Sequence, residues 1–91
     1  LLNEGIGYLK KAAESAPDEA KFRFNYGLAL FLNKNYKEAA EQFRAILPAN
    51  PQDGEAYFAL AKMQELLGDE KAADTDNNAR RFLTTNNRYA K

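Results

Sequence analysis

In "EAKFRFNYGLALFLNK", residues 19–34, Phe22, Tyr26, Ala29 and Leu30 follow the i, i+4, i+7, i+8 spacing that draws one apolar stripe along a helix. "GEAYFALAKMQELLG", residues 54–68, repeats it with Ala56, Leu60, Met63 and Leu67. Each segment follows a proline, Pro17 or Pro51, a residue suited to a first helical turn. An acid stands two positions further on, Glu19 or Asp53, where the helix dipole favours negative charge. The pattern breaks at "NKN" (33–35) and "GD" (68–69), where Asn and Gly can take the left-handed conformation that ends a helix. The alternation predicts five helices, roughly 2–15, 18–33, 36–48, 52–67 and 70–84.

The pattern recurs at a spacing of 34: Pro17 maps to Pro51, Leu9 to Phe43, Tyr26 to Leu60, Gly27 to Ala61, and Gly5 to Ala39 and Ala73. Small positions recur as small and large apolar ones as large, as two helices pressed together at a fixed crossing demand. A single helix pair cannot bury its apolar face alone. A chain that writes the pair again can stack the copies over a continuous core.

Tyr26-Gly27 with Leu30 after two intervening residues, then Tyr36, Ala39, Phe43 and Pro51 stand against the signature L-G-x2-Y, then A-x3-F, then P, over a 34-residue unit, with Tyr and Leu exchanged in its opening part. On these residues the segment 20–53 resembles a tetratricopeptide repeat. The opening Trp of that signature is replaced by Arg23, which leaves Phe22 and Phe24 to supply bulk. The next unit keeps Tyr57, Leu60, Ala61, Gly68 and Ala73. The resemblance covers the whole chain: a second-helix half repeat over 1–19, a full repeat over 20–53, a degenerate repeat over 54–87 and a tail at 88–91. It implies an all-α fold, a right-handed superhelix of helical hairpins with about five antiparallel helices.

Past Ala73 the register fails, because Asn77 stands where Phe43 stood and Arg80 where Ile46 stood. Ala79, Phe82 and Leu83 restore an i, i+3, i+4 triplet two residues late. An end helix that meets solvent on one side accounts for this. The basic end "RRFLTTNNRYAK", with Arg80, Arg81, Arg88 and Lys91, admits a second reading as a docking segment. At the other end the half repeat lacks the helix expected to precede 2–15, which leaves Leu2, Ile6 and Leu9 one uncovered flank that invites contact with missing sequence or with another copy. The chain opens on Leu1 rather than methionine, so a segment of a longer polypeptide is expected.

Composition removes most chemistry. The 91 residues contain no cysteine and no histidine, so thiolate sites, the commonest metal ligand and the commonest general base are all missing. Thirteen basic and thirteen acidic side chains balance, leaving no overall field for nucleic acid or an anionic membrane. No apolar run reaches the roughly 18 residues of a membrane span, and no signal segment is present, so no membrane partner is expected. Asp74, Asp76 and Asn78 in "DTDNNA" have the oxygen spacing of a calcium loop, but Ala79 replaces its glycine and Thr85 its closing glutamate. No metal or cofactor is expected. Glu38 and Glu41 share a helix face with Lys37 and Arg44, the mark of an ion-laced surface rather than a catalytic pair. Gly5, Gly7 and Gly27 lie inside helix patterns, where close helix packing explains them. No enzyme is expected, and the compartment cannot be read.

The resemblance also implies a site. In such repeats the first helix of each pair lines a concave groove, which here assigns Lys21, Phe24, Asn25, Leu28, Phe31 and Leu32, then Glu55, Phe58, Ala59, Lys62, Glu65 and Leu66. Some members clamp a terminal carboxylate with Lys, Asn and Arg. Asn25 fits the asparagine place, while Glu55 and Ala59 stand where cations are needed, so that clamp is incomplete. The implied function is a protein-interaction scaffold that binds a partner peptide or helix in the groove. The alternative is a structural or self-associating segment with no peptide ligand.

Overall fold

The computed structural model describes residues 2–86, with side chains described over 4–84. Five helices follow one another: α1 (Leu2–Ser15), α2 (Ala20–Leu32), α3 (Tyr36–Ile46), α4 (Gly54–Leu66) and α5 (Ala72–Asn86). Among the described residues there is no strand. Each helix packs on the next in chain order, giving an elongated stack of 41 × 28 × 22 Å.

Two seams show how the pairs close. In the first, Arg23 near the start of α2 donates from Nη1 to Gln42 Oε1 at 3.2 Å, and Gly27 lies against the Phe43 ring of α3. A Cβ on Gly27 would come within 2.6 Å of that ring, so the glycine is required by the helix crossing. In the second, Gly54 at the head of α4 meets Leu83 near the end of α5, and Tyr57 stacks on Phe82 with centroids 5.4 Å apart. Head meets tail in both, so paired helices run antiparallel. Tyr26, Leu30, Ala39, Ala40, Phe43, Leu60 and Met63 form the continuous core between the pairs. Phe43, Leu30 and Ile46 are fully buried, and each such side chain contributes about 1.5–3 kcal/mol.

The helix ends obey the repeat in detail. At the end of α2, Lys34 N–H donates to Phe31 O and Asn35 N–H to Leu30 O; at the end of α4, Gly68 N–H donates to Glu65 O and Asp69 N–H to Gln64 O. Both close the helix through one left-handed residue, Lys34 at φ 62° and Gly68 at φ 71°. The left-handed position in "NKN" is therefore the lysine, not either asparagine.

Other expectations change as well. Helices α2 and α4 start three residues after their prolines, and Glu19 and Asp53 are N-cap residues rather than first-turn acids. Asp53 Oδ1 accepts the Ala56 N–H at 3.1 Å, whereas Glu19 makes no side-chain cap bond. The Trp position is filled by a polar tie: Arg23 Nε also donates to Pro17 O at 2.7 Å, fixing the α1–α2 turn to α3. Leu67 does not join the core, because it is the C-cap of α4 and lies half exposed. Gly5 and Gly7 meet nothing within 4 Å, so close packing does not explain them. In α5 the late triplet holds in part: Ala79 is fully buried and Phe82 half-buried, but Leu83 keeps 38% of its surface open, and Ala73, Asn77 and Arg80 are exposed. Arg80 turns outward to pair with Asp76 at 2.9 Å. The side chain of Leu2, and Arg88 and Lys91 of the basic end, lie outside the described residues.

Candidate functional site

The groove residues lie on α2 and α4, whose opposite stripes are committed to the core. Because Tyr26, Gly27 and Leu30 point inward, Lys21, Asn25, Leu28 and Leu32 emerge on the other side of α2. On α4, Leu60, Ala61 and Gln64 are buried, and Glu55, Phe58, Lys62, Glu65 and Leu66 emerge. Neither helix needs its outward apolar residues for amphipathicity. Leu28 is 40% exposed, Phe58 47%, Leu66 53% and Leu32 67%, a density of solvent-facing apolar side chains that the fold itself does not use.

The assigned residues are not equivalent. Phe24 is half-buried and packs its ring on Phe43 at 5.2 Å, so it belongs to the core as much as to the surface. Phe31 leans on Tyr36 of α3 at 6.0 Å and keeps 36% of its surface open. Phe58 keeps 47% of its surface open, with the Lys62 ammonium 5.6 Å from its ring centroid, one turn further along α4. Ala59 is buried and presents nothing to a ligand.

At the head of α2 and α4 an open pocket of about 260 Å³ brings Ala20, Lys21, Phe24 and Asn25 together with Asp53 and Glu55. Four of the assigned groove residues thus share one pocket. Its α2 side offers an ammonium, an amide and the Phe24 ring, its α4 side two carboxylates. Asp53 was not among the assigned positions; its role as N-cap puts it there, and the capping pattern was the signal that could have found it.

Among the described residues, no three His, Cys, Asp or Glu side chains gather in a way that could hold a metal ion. Asp74 and Asp76 are helical residues of α5, and Asp76 is engaged by Arg80. The perturbed titration is at Tyr26, whose phenol is pushed above its ordinary value of 10.0 by burial, then by the carboxylates of Glu38 and Glu14. Tyr26 lies in the core, where a raised pKa keeps it neutral, and it supplies no acid or base to the groove.

A stack of antiparallel helix pairs with a 34-residue period and a ridge of unused apolar residues defines a helical-repeat scaffold. The profile of the tetratricopeptide repeat family matches residues 2–54, and the chain belongs to that family. Proteins of this kind serve broadly as protein-interaction scaffolds rather than enzymes. Among solved structures, MamA MSR-1 is similar with a TM-score of 0.86 and 26% identity, covering 94% of this chain and 50% of that one. MamA AMB-1 is similar with a TM-score of 0.83 and 28% identity, covering 89% of this chain and 48% of that one. The chain thus spans about half the length of the structures it matches. No curated protein matches it in sequence. No helix among the described residues is long and apolar enough to cross a membrane.

Proposed function

We propose that the chain holds a segment of a partner protein along the groove formed by α2 and α4. The observation that carries this reading is the set of exposed apolar side chains Leu28, Phe31, Leu32, Phe58 and Leu66 on the two helices whose other faces build the core. Phe58 and Leu28 are the anchors, because 47% and 40% of their surfaces stay open to water until a partner covers them. Covering the open part of each anchor, a little under half of its surface, contributes roughly 1 kcal/mol before ordering costs. Lys21, Asn25, Glu55, Lys62 and Glu65 then set register and selectivity along the rim, and the pocket between Lys21 and Glu55 accepts one end of the segment.

The test begins with a displayed peptide library selected on the immobilised chain, followed by calorimetric titration of the synthesised winner. Phe58→Ala is expected to weaken that peptide by 1 kcal/mol or more, about fivefold, while changing stability by less than about 0.5 kcal/mol. Phe43→Ala, in the core, is expected to cost about 3–5 kcal/mol of stability. A peptide whose affinity ignores Phe58→Ala and Leu28→Ala alike overturns the groove reading.

A further inference from the structure

The pocket at the heads of α2 and α4 has walls of opposite character. Each wall belongs to a helix with a described helix before and after it in the chain. The α2 wall carries Lys21 and Asn25, one turn apart on the same face, and the α4 wall carries Asp53 and Glu55. Lys21 and Glu55 are counterparts 34 positions apart, so the charge changes sign from one unit to the next. The two do not close on each other. Among the described residues, the side chains of Lys21, Asn25 and Glu55 enter no hydrogen bond or ion pair, and an open space of about 260 Å³ lies between the walls. Asp53 gives Oδ1 to the Ala56 N–H, which holds its carboxylate in place at the α4 cap.

That space is smaller than the roughly 300–1,000 Å³ that encloses a whole small ligand, so it suits the end group of a longer chain. Two carboxylates against one ammonium favour a cation. A terminal carboxylate would pair with Lys21 but face both acids. A lysine or arginine side chain would pair with the acids but bring a second cation up to Lys21 and offer it no acceptor. The free amino end of a polypeptide satisfies both walls. Its ammonium goes to Glu55 and Asp53, and the carbonyl oxygen of its first residue accepts from Lys21 and Asn25. The Phe24 ring, in the same pocket, offers an apolar surface to the first side chain. From there the groove continues: Leu28 lies seven residues beyond Lys21, about 10 Å along the helix. An extended chain covers that distance in about three residues, so its fourth residue meets Leu28.

We propose that this pocket captures the free amino terminus of a partner protein whose fourth residue is large and apolar, with Glu55 holding the ammonium and Lys21 and Asn25 the first carbonyl. The inference rests on the groove reading and names the end of the segment that the groove takes.

The probe is a bead-bound decapeptide library made with different chain ends: tethered through the C terminus with a free amine, tethered likewise but N-acetylated, and tethered through the N terminus with a free carboxylate. The free-amine form is expected to yield the binders, with large apolar residues enriched at the fourth position. For the strongest of them, N-acetylation is expected to weaken binding about tenfold, and Glu55→Gln to do the same. The melting midpoint of Glu55→Gln is expected to move little, because the side chain is exposed. Asp53 is left unchanged, since it caps α4. Against the acetylated peptide, Glu55→Gln is expected to make no further difference, because both changes remove one contact. Binders drawn equally from all forms, enrichment of the free-carboxylate form, affinity indifferent to acetylation, or a library without binders overturns the proposal. The groove reading fails separately. A peptide that needs its free amine and Glu55 but ignores Phe58→Ala and Leu28→Ala supports the pocket and removes the groove, and the reverse pattern keeps the groove and removes the pocket.

Discussion

Gln64→Leu is expected to stabilise the protein. Gln64 is 4% exposed, and its Oε1 is buried with no hydrogen-bond partner. It lies on the stripe Gly54, Tyr57, Ala61, Gln64, whose first two members touch α5, so the orphaned amide faces the α4–α5 seam. Thirty-four positions earlier stands Leu30, 2% exposed and part of the central core. The repeat therefore shows that leucine suits this site. Leaving a buried acceptor unmade costs about 1–3 kcal/mol. Replacing the amide with an apolar side chain of similar size removes that cost. Allowing for imperfect packing of the branched chain, a gain of about 1–2 kcal/mol is expected, or roughly 4–8 °C per kcal/mol in a domain this small. Urea titration followed by circular dichroism reads it as a higher midpoint at unchanged slope. Gln64→Ala is the control, since it removes the orphan but opens a void and should gain less or lose. An unchanged or lowered midpoint for Gln64→Leu would mean that the seam is not equivalent to that of α2 and α3.

Three further outcomes follow from backbone and burial. Gly27→Ala is expected to cost about 1–3 kcal/mol in denaturant melts, because the new methyl would stand 2.6 Å from Phe43; an unaltered midpoint would refute the tight crossing. Lys34→Gly is expected to raise stability by roughly 0.5–1 kcal/mol, relieving a left-handed lysine at a site where the next unit already uses Gly68; thermal melts decide it. The raised Tyr26 pKa, due to burial and then to Glu38 and Glu14, makes stability fully present below pH 10 and lost as pH climbs from there towards the folded-state value. Alkaline melts of Tyr26→Phe should lack that share of the decline.

The fold was legible because helix and repeat are both periodic signals, and periodicity survives local substitutions. Five helices are present where the apolar stripes placed them, with ends displaced by a residue or two. What escaped were places where one residue does another's work. Arg23 replaces the bulk of a tryptophan with two hydrogen bonds, which residue type alone does not announce. Lys34 takes a glycine's conformation because the two hydrogen bonds of the turn hold it there, against its intrinsic preference. Leu67 fits an apolar stripe by spacing, yet the helix ends one residue too early to carry it inward.

The groove was less legible than the core, for a related reason. A core position is over-determined, since volume, period and the 34-residue copy all constrain it, and Phe43 satisfies all three. An exposed position on α2 or α4 has no such internal constraint, so the sequence records that apolar residues are present without recording what they meet. Phe24 and Phe58 occupy corresponding positions 34 apart and look alike in sequence, yet Phe24 is half-buried on the Phe43 ring while Phe58 keeps 47% of its surface open beside Lys62. The difference arises from the neighbour each one finds. Phe24 has Phe43 within reach, while the helix paired with α4 carries Asn77 at the position corresponding to Phe43. The slip in the register of α5 therefore puts Asn77, not a ring, at the position corresponding to Phe43, and Phe58 keeps 47% of its surface open.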